Sequence, residues 1–182
     1  DGPTQQDLSS AEYGITALLH MTHYNASEVD IAAGESWRKF YGPFLLYCNT
    51  DPAGAEACWQ DAQAQVATER AEWPYDWLAG NPDFPGNAGR ATVTGSIDIH
   101  DPLKPALNAA DAWVGLAAPD AGGNWQFEGK RYQHWVKAGA DGSFAIPHVR
   151  PGTYTLYCFA DGATGEYEHG TPVTVAAGQS LD

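Results

Sequence analysis

A chain of 182 residues with 9 Lys and Arg against 23 Asp and Glu carries a formal net charge of −14, which repels nucleic acid and anionic membrane surfaces and excludes both as partners gathered by charge. Its 43% hydrophobic content, with 7 Trp, 9 Tyr and 6 Phe, supplies a packed core and excludes wholesale disorder. No run of about 18 apolar residues occurs, so no transmembrane helix is expected, and the opening DGPTQQDLSS does not read as a signal peptide.

The start at Asp1 without a methionine fits a mature protein or a piece of a longer one. Few lysines, many tryptophans and much Gly and Pro suit a secreted, extracellular protein that handles sugar. Residues 13–24, YGITALLHMTHY, are rich in β-branched and aromatic side chains and read as a strand. Period two then sends His20 and His23 to opposite faces. Three readings suit the pair: acid or base work at a strand end, a metal site, or two polar positions on a half-exposed strand. The metal reading needs a bulge to join the rings and a third ligand such as Glu28 or Asp30, so no metal site is expected. Asn25-Ala26-Ser27 fits the glycosylation acceptor pattern.

After a loop rich in Asn, Ser, Asp and Gly comes WRKFYGPFLLYCN, residues 37–49. Its second half, Phe44 to Cys48, reads as an apolar strand bounded by Gly42-Pro43 and Asn49. A helix follows, with Asp51 as cap and Pro52 at the first helical position. Ala55, Trp59, Ala62, Val66 and Trp73 form its apolar stripe, and Pro74 stops it near Glu72. A disulfide between Cys48 and Cys58 is permitted in an oxidising compartment, while Cys158, within YTLYCFA, reads as a small core residue. Residues 74–89 hold three prolines and three glycines and mark the domain boundary.

Beyond Arg90 the period is two throughout. ATVTGSIDIH, AWVGLAA, YQHWVKA, GSFAIP, GTYTLYCFA and TPVTVAA are short strands separated by turns such as Asp141-Gly142 and Pro151-Gly152. That pattern predicts a small antiparallel β-sandwich over residues 89–182. Residues 1–88, with about two strands and one helix, cannot close a core alone and are expected to complete a larger sheet.

Several segments together resemble the rhamnogalacturonan lyase family of polysaccharide lyases (family 4). They are THY at 22–24, WRKFYGPFLLYCN at 37–49, ERAEWPYDW at 69–77, GRATVTGSI at 89–97, AWVGLA at 112–117, the long block from Trp125 to Tyr167, and VTVAAG at 173–178. The resemblance implies a mainly β chain: residues 1–88 as the tail of a large catalytic β-sandwich domain with one helix, and residues 89–182 as a fibronectin type III-like sandwich. It implies β-elimination at galacturonic acid in the rhamnogalacturonan backbone of pectin, with His23 matched to the family's catalytic histidine. The catalytic lysine and arginines precede Asp1 on this reading. Thr16 and Leu18 stand where some members have aromatics, so the local pattern around His23 departs from theirs.

Tyr24, Trp37 and Tyr41 are the rings that would contact substrate, although rings in these stretches serve equally as core or interface. The expected partners are an acidic plant cell-wall polysaccharide and an upstream chain or segment that completes the catalytic domain. No cofactor is expected in this chain, and calcium, if used, belongs elsewhere in the full enzyme. The alternative is a non-catalytic carbohydrate-binding or spacer module of a larger secreted protein.

Overall fold

The computed structural model describes residues 29–118, 125–126, 128–160 and 166–182. The described residues form two compact units, one comprising Arg38–Ala88 and the other residues 89–182 together with residues 29–37.

In the first unit the principal element is α1, Ala55–Glu72. It begins three residues later than the Asp51-Pro52 signal predicts. The Asp51 carboxylate accepts the Ala53 N–H at 2.8 Å, closing a local turn, and Gly54 stands at the N-cap. The helix ends where Pro74 requires, with the Trp73 N–H on the Glu69 carbonyl. None of its residues is buried, and Trp59 is 61% exposed. The expected strand over Phe44–Cys48 does not form. Phe44, Leu45, Leu46 and Tyr47 are all exposed, because a strand acquires its ladder only from a neighbour and none pairs with it among the described residues. Phe84 is the buried centre of this unit, with Phe40 at 5.3 Å and Trp73 edge-on at 6.4 Å between ring centroids.

The second unit is a sandwich of two sheets. All six predicted strands are present: β1 Ala91–Ser96, β2 Trp113–Ala117, β3 His134–Lys137, β4 Ser143–Val149, β5 Gly152–Phe159 and, after the two-residue β6 (Tyr167–Glu168), β7 Val173–Val175; β8 is Ser180–Leu181. One sheet runs β4-β1-β8 and the other β3-β2-β5-β6, with β7 also on β5. The β1–β8 pair is parallel, which corrects the fully antiparallel expectation: the last strand returns beside the first from the other end of the sandwich. Between the sheets lie Val93, Val114, Leu116, Ile146, Val149, Tyr154 and Cys158, all buried.

Two local devices shape the end of β4. Ala91 pairs with Val149 and Val93 with Ile146, so Thr92 of β1 faces two residues of β4, Pro147 and His148, which is a β-bulge. His148 absorbs it with φ 57°, a left-handed conformation costing a non-glycine residue on the order of 1 kcal/mol. The buried Arg90 holds the bulge, donating from Nη1 to the His148 carbonyl at 3.1 Å. At the start of β5 the Tyr154 hydroxyl donates back to the Arg150 carbonyl at 2.8 Å, a tyrosine corner where the chain passes from one sheet to the other. The turn into β4 requires glycine at 142: φ is +80°, and a Cβ would strike the Ile97 carbonyl.

Candidate functional site

Among the described residues, polar side chains gather in three constellations. The first is in the helical unit, where Tyr47 and Asn49 both donate to Asp61 on α1, at 2.6 and 2.8 Å. These hydrogen bonds hold the Asp61 carboxyl below its usual range, and the Tyr47 phenol is raised in return. Tyr75 donates to Glu69. Leu45, Tyr47, Val66, Trp73 and Tyr75 line a groove of about 360 Å³, and Trp77, 71% exposed, lies 5.6 Å from the Tyr75 ring.

The second is in the sandwich. Arg150 lies over the Tyr132 ring at 3.9 Å, and its backbone N–H meets His134 Nε2 at 3.5 Å. The His134 ring stands edge-on to Tyr154 at 5.7 Å. Burial first, then the charges of Arg90 and Arg150, push the His134 imidazole down to about 4. Burial and Arg150 push Arg90 down to about 10, and burial pushes Tyr154 up to about 12. The histidine is therefore neutral in the fold. The sign follows: protonation favours the unfolded chain, whose histidine titrates near 6.5, so this stability is complete above that value and is lost as pH falls toward 4. The melting temperature of the wild type is expected to drop more steeply between pH 6.5 and 4 than that of His134→Gln. Parallel curves would show that the imidazole is not held neutral.

The third is a clasp. The Trp37 indole N–H donates to the Lys130 carbonyl at 3.1 Å. The Lys130 ammonium pairs with Glu35 and donates to the Asp30 carbonyl at 2.9 Å.

Of the residues expected to act, His23, Tyr24 and Asn25 lie outside the described residues, as does His20. Trp37 is tied to Lys130, while Tyr41 belongs to the other unit, 52% exposed with the Lys39 ammonium 4.9 Å from its ring centroid. Cys48 and Cys58 are free thiols, so the permitted disulfide is not formed. Tyr47 and Asn49 both reach Asp61 and Asn49 also donates to the Cys58 carbonyl. Cys48, between them, is exposed. Arg90, Lys130 and His134 did not stand out in the sequence. For His134 a signal existed: alternation along β3 puts it on the face of Val136, which packs on the core.

Two facing sheets, the tyrosine corner and the β4-to-β5 sheet change define a fibronectin type III-like β-sandwich. Residues 109–182 match the model of polysaccharide lyase family 4, domain II. The rhamnogalacturonate lyase of Dickeya dadantii is 29% identical over 147 residues, 81% of this chain and 23% of that protein. Probable rhamnogalacturonate lyase A of Aspergillus terreus is 25% identical over 99% of this chain and 35% of its own length. Probable rhamnogalacturonate lyase C of Aspergillus oryzae is 27% identical over 100% of this chain and 25% of its own length. The chain is thus similar along its length to rhamnogalacturonate lyases, and it spans between 23% and 35% of the length of these relatives.

Proposed function

We propose that this chain is part of a secreted polysaccharide lyase that cleaves the rhamnogalacturonan backbone by β-elimination. In this reading residues 1–88 end the catalytic β-sandwich and residues 89–182 form the fibronectin type III-like domain. The observation that carries it is end-to-end similarity to rhamnogalacturonate lyases over 99% and 100% of the chain. The exposed apolar run Phe44–Tyr47 supports the division, since such a run is stable against water only when further strands cover it.

The chemistry is constrained by the substrate. A base removes the C5 proton of the uronate, the electron pair forms the C4–C5 double bond, and the 4-linked oxygen leaves with a proton. The C5 proton becomes acidic only when the neighbouring carboxylate is offset by positive charge. At −14 this chain opposes a polyuronate, so on this reading that charge comes from basic residues elsewhere in the whole lyase. The test is to express the chain within the complete polypeptide and follow absorbance of the unsaturated uronate on rhamnogalacturonan. Cleavage by hydrolysis, with no such absorbance, would sink the reading.

A non-catalytic binding module is the second reading. It is favoured by the exposed Trp77 ring beside Tyr75, a surface on which a pyranose face can stack. Tight binding of rhamnogalacturonan by these 182 residues alone, abolished by Trp77→Ala, would favour it.

A further inference from the structure

We propose that the outer face of the β3-β2-β5 sheet is a binding site for an acidic polysaccharide, with a pyranose ring stacked on Trp113 and its uronate carboxylate paired with Lys137. That the polymer is rhamnogalacturonan rests on the lyase reading; that the ligand is an anionic sugar rests on the face itself. Register places the residues. Lys137 of β3 and Phe159 of β5 both stand directly opposite Trp113 of β2, so a cation, an indole and a phenyl ring share one row across three strands. Their chain neighbours Val136, Val114 and Cys158 pack in the core, and alternation turns this row away from it. In the next row Trp135 and Tyr157 stand opposite Gly115, and Glu168 of β6 stands opposite Tyr157.

The face carries the parts that a uronate needs. Trp113 and Trp135 are partly exposed, and the Trp135 indole comes down onto the sheet because Gly115 beneath it has no Cβ to hold it off. Three strands and two rows make a platform of about 10 Å by about 7 Å, the footprint of a disaccharide. The apolar faces of pyranose rings stack on such surfaces. The Trp113 indole N–H has no hydrogen-bond partner among the described residues, which leaves a donor for a sugar hydroxyl. Lys137 is exposed, with its ammonium 5.3 Å from the centre of the Trp113 ring. Its flexible four-carbon stem lets the charge move to the rim when a sugar takes the ring face.

The charges on the face point to an anion. Acidic side chains outnumber basic ones 23 to 9 in the chain, yet among the described residues no carboxylate pairs with Lys137. A cross-strand cation–π contact by itself covers a ring and calls for no ligand. The polarity of the sheet adds what that contact lacks. Lys137 lies on the β3 edge, while Glu168 lies on β6 at the opposite edge, next to Glu166, which holds the Trp125 indole N–H at 2.6 Å. A uronate is drawn to one edge and repelled from the other, which sets the direction of a bound sugar as well as its place.

The test is isothermal titration calorimetry of the 182-residue chain at low salt with an oligogalacturonate, which offers uronate carboxylates but no linkage to rhamnose. Saturable binding is expected, and a carboxyl-reduced oligomer of the same length should bind about 5-fold more weakly. Lys137→Gln is expected to weaken binding about 5-fold and to remove most of its salt dependence, and Trp113→Ala to weaken it about 10-fold. Lys137 is exposed, so its variant folds even if Trp113→Ala does not. Absence of saturable binding overturns the proposal, as does wild-type affinity in Lys137→Gln or equal affinity for the reduced oligomer. Loss of binding in Trp77→Ala with normal binding in Trp113→Ala also overturns it, by moving the site to the other unit. Failure of the lyase reading is distinct: it shows as no unsaturated uronate from the complete polypeptide and leaves this binding intact.

Discussion

Replacing His23 by asparagine is expected to lower turnover of the complete lyase by a factor of roughly 10² to 10⁴, the usual contribution of positioned acid–base catalysis. Asparagine is close in size and keeps a hydrogen-bonding head, but it has no nitrogen able to take the C5 proton. Substrate affinity and folding are expected to change much less, because the sequence reading sets His23 at the end of a strand on its substrate side, where a side chain packs few neighbours. His20, sent to the other face by period two, supplies the control. His20→Asn is expected to keep the chemical step: its cost is in packing or a hydrogen bond, read as a lower melting temperature. Lost turnover with His20→Asn and normal turnover with His23→Asn would show a strand register shifted by one. Normal turnover with both would leave the pair structural. The assay is absorbance of the double bond conjugated to the uronate carboxylate.

Gly115→Val is expected to lower the unfolding free energy by about 3 kcal/mol. Gly115 sits in β2 directly opposite Trp135 of β3, and the tryptophan ring lies over it, so that any Cβ overlaps the indole. The ring has no easy retreat. It packs on Trp125 at 4.4 Å and Phe159 at 5.9 Å between centroids, and its N–H donates to Gln133 at 2.9 Å. Gln133 in turn holds the Trp125 carbonyl. Moving Trp135 therefore disturbs the hydrophobic cluster of Ala117, Trp125 and Tyr157 against which it packs. Urea unfolding followed by tryptophan fluorescence measures the loss, and a change below about 1 kcal/mol would mean that the indole slides aside freely.

The sequence by itself determined the features that depend on near neighbours. Period two from Ala91 onward marked six strands, because alternating side chains must face core and solvent in turn. Pro74 marked the end of α1, because its ring removes a donor from the helix. The likeness to rhamnogalacturonate lyases was legible too, in motifs spread from residue 22 to residue 178. Tertiary structure decided what depends on residues distant in the chain. Phe44–Cys48 has strand composition, yet a ladder is a property of two segments, and the stretch stays exposed. The parallel seat of β8 beside β1 follows from closure of the sandwich. Arg90 looks like a surface arginine until the bulge at His148 presents a carbonyl to it. Trp37 resembles a sugar platform until Lys130, 93 residues away, accepts its N–H. Local pattern records which way a side chain points, whereas only the folded chain settles what it meets there.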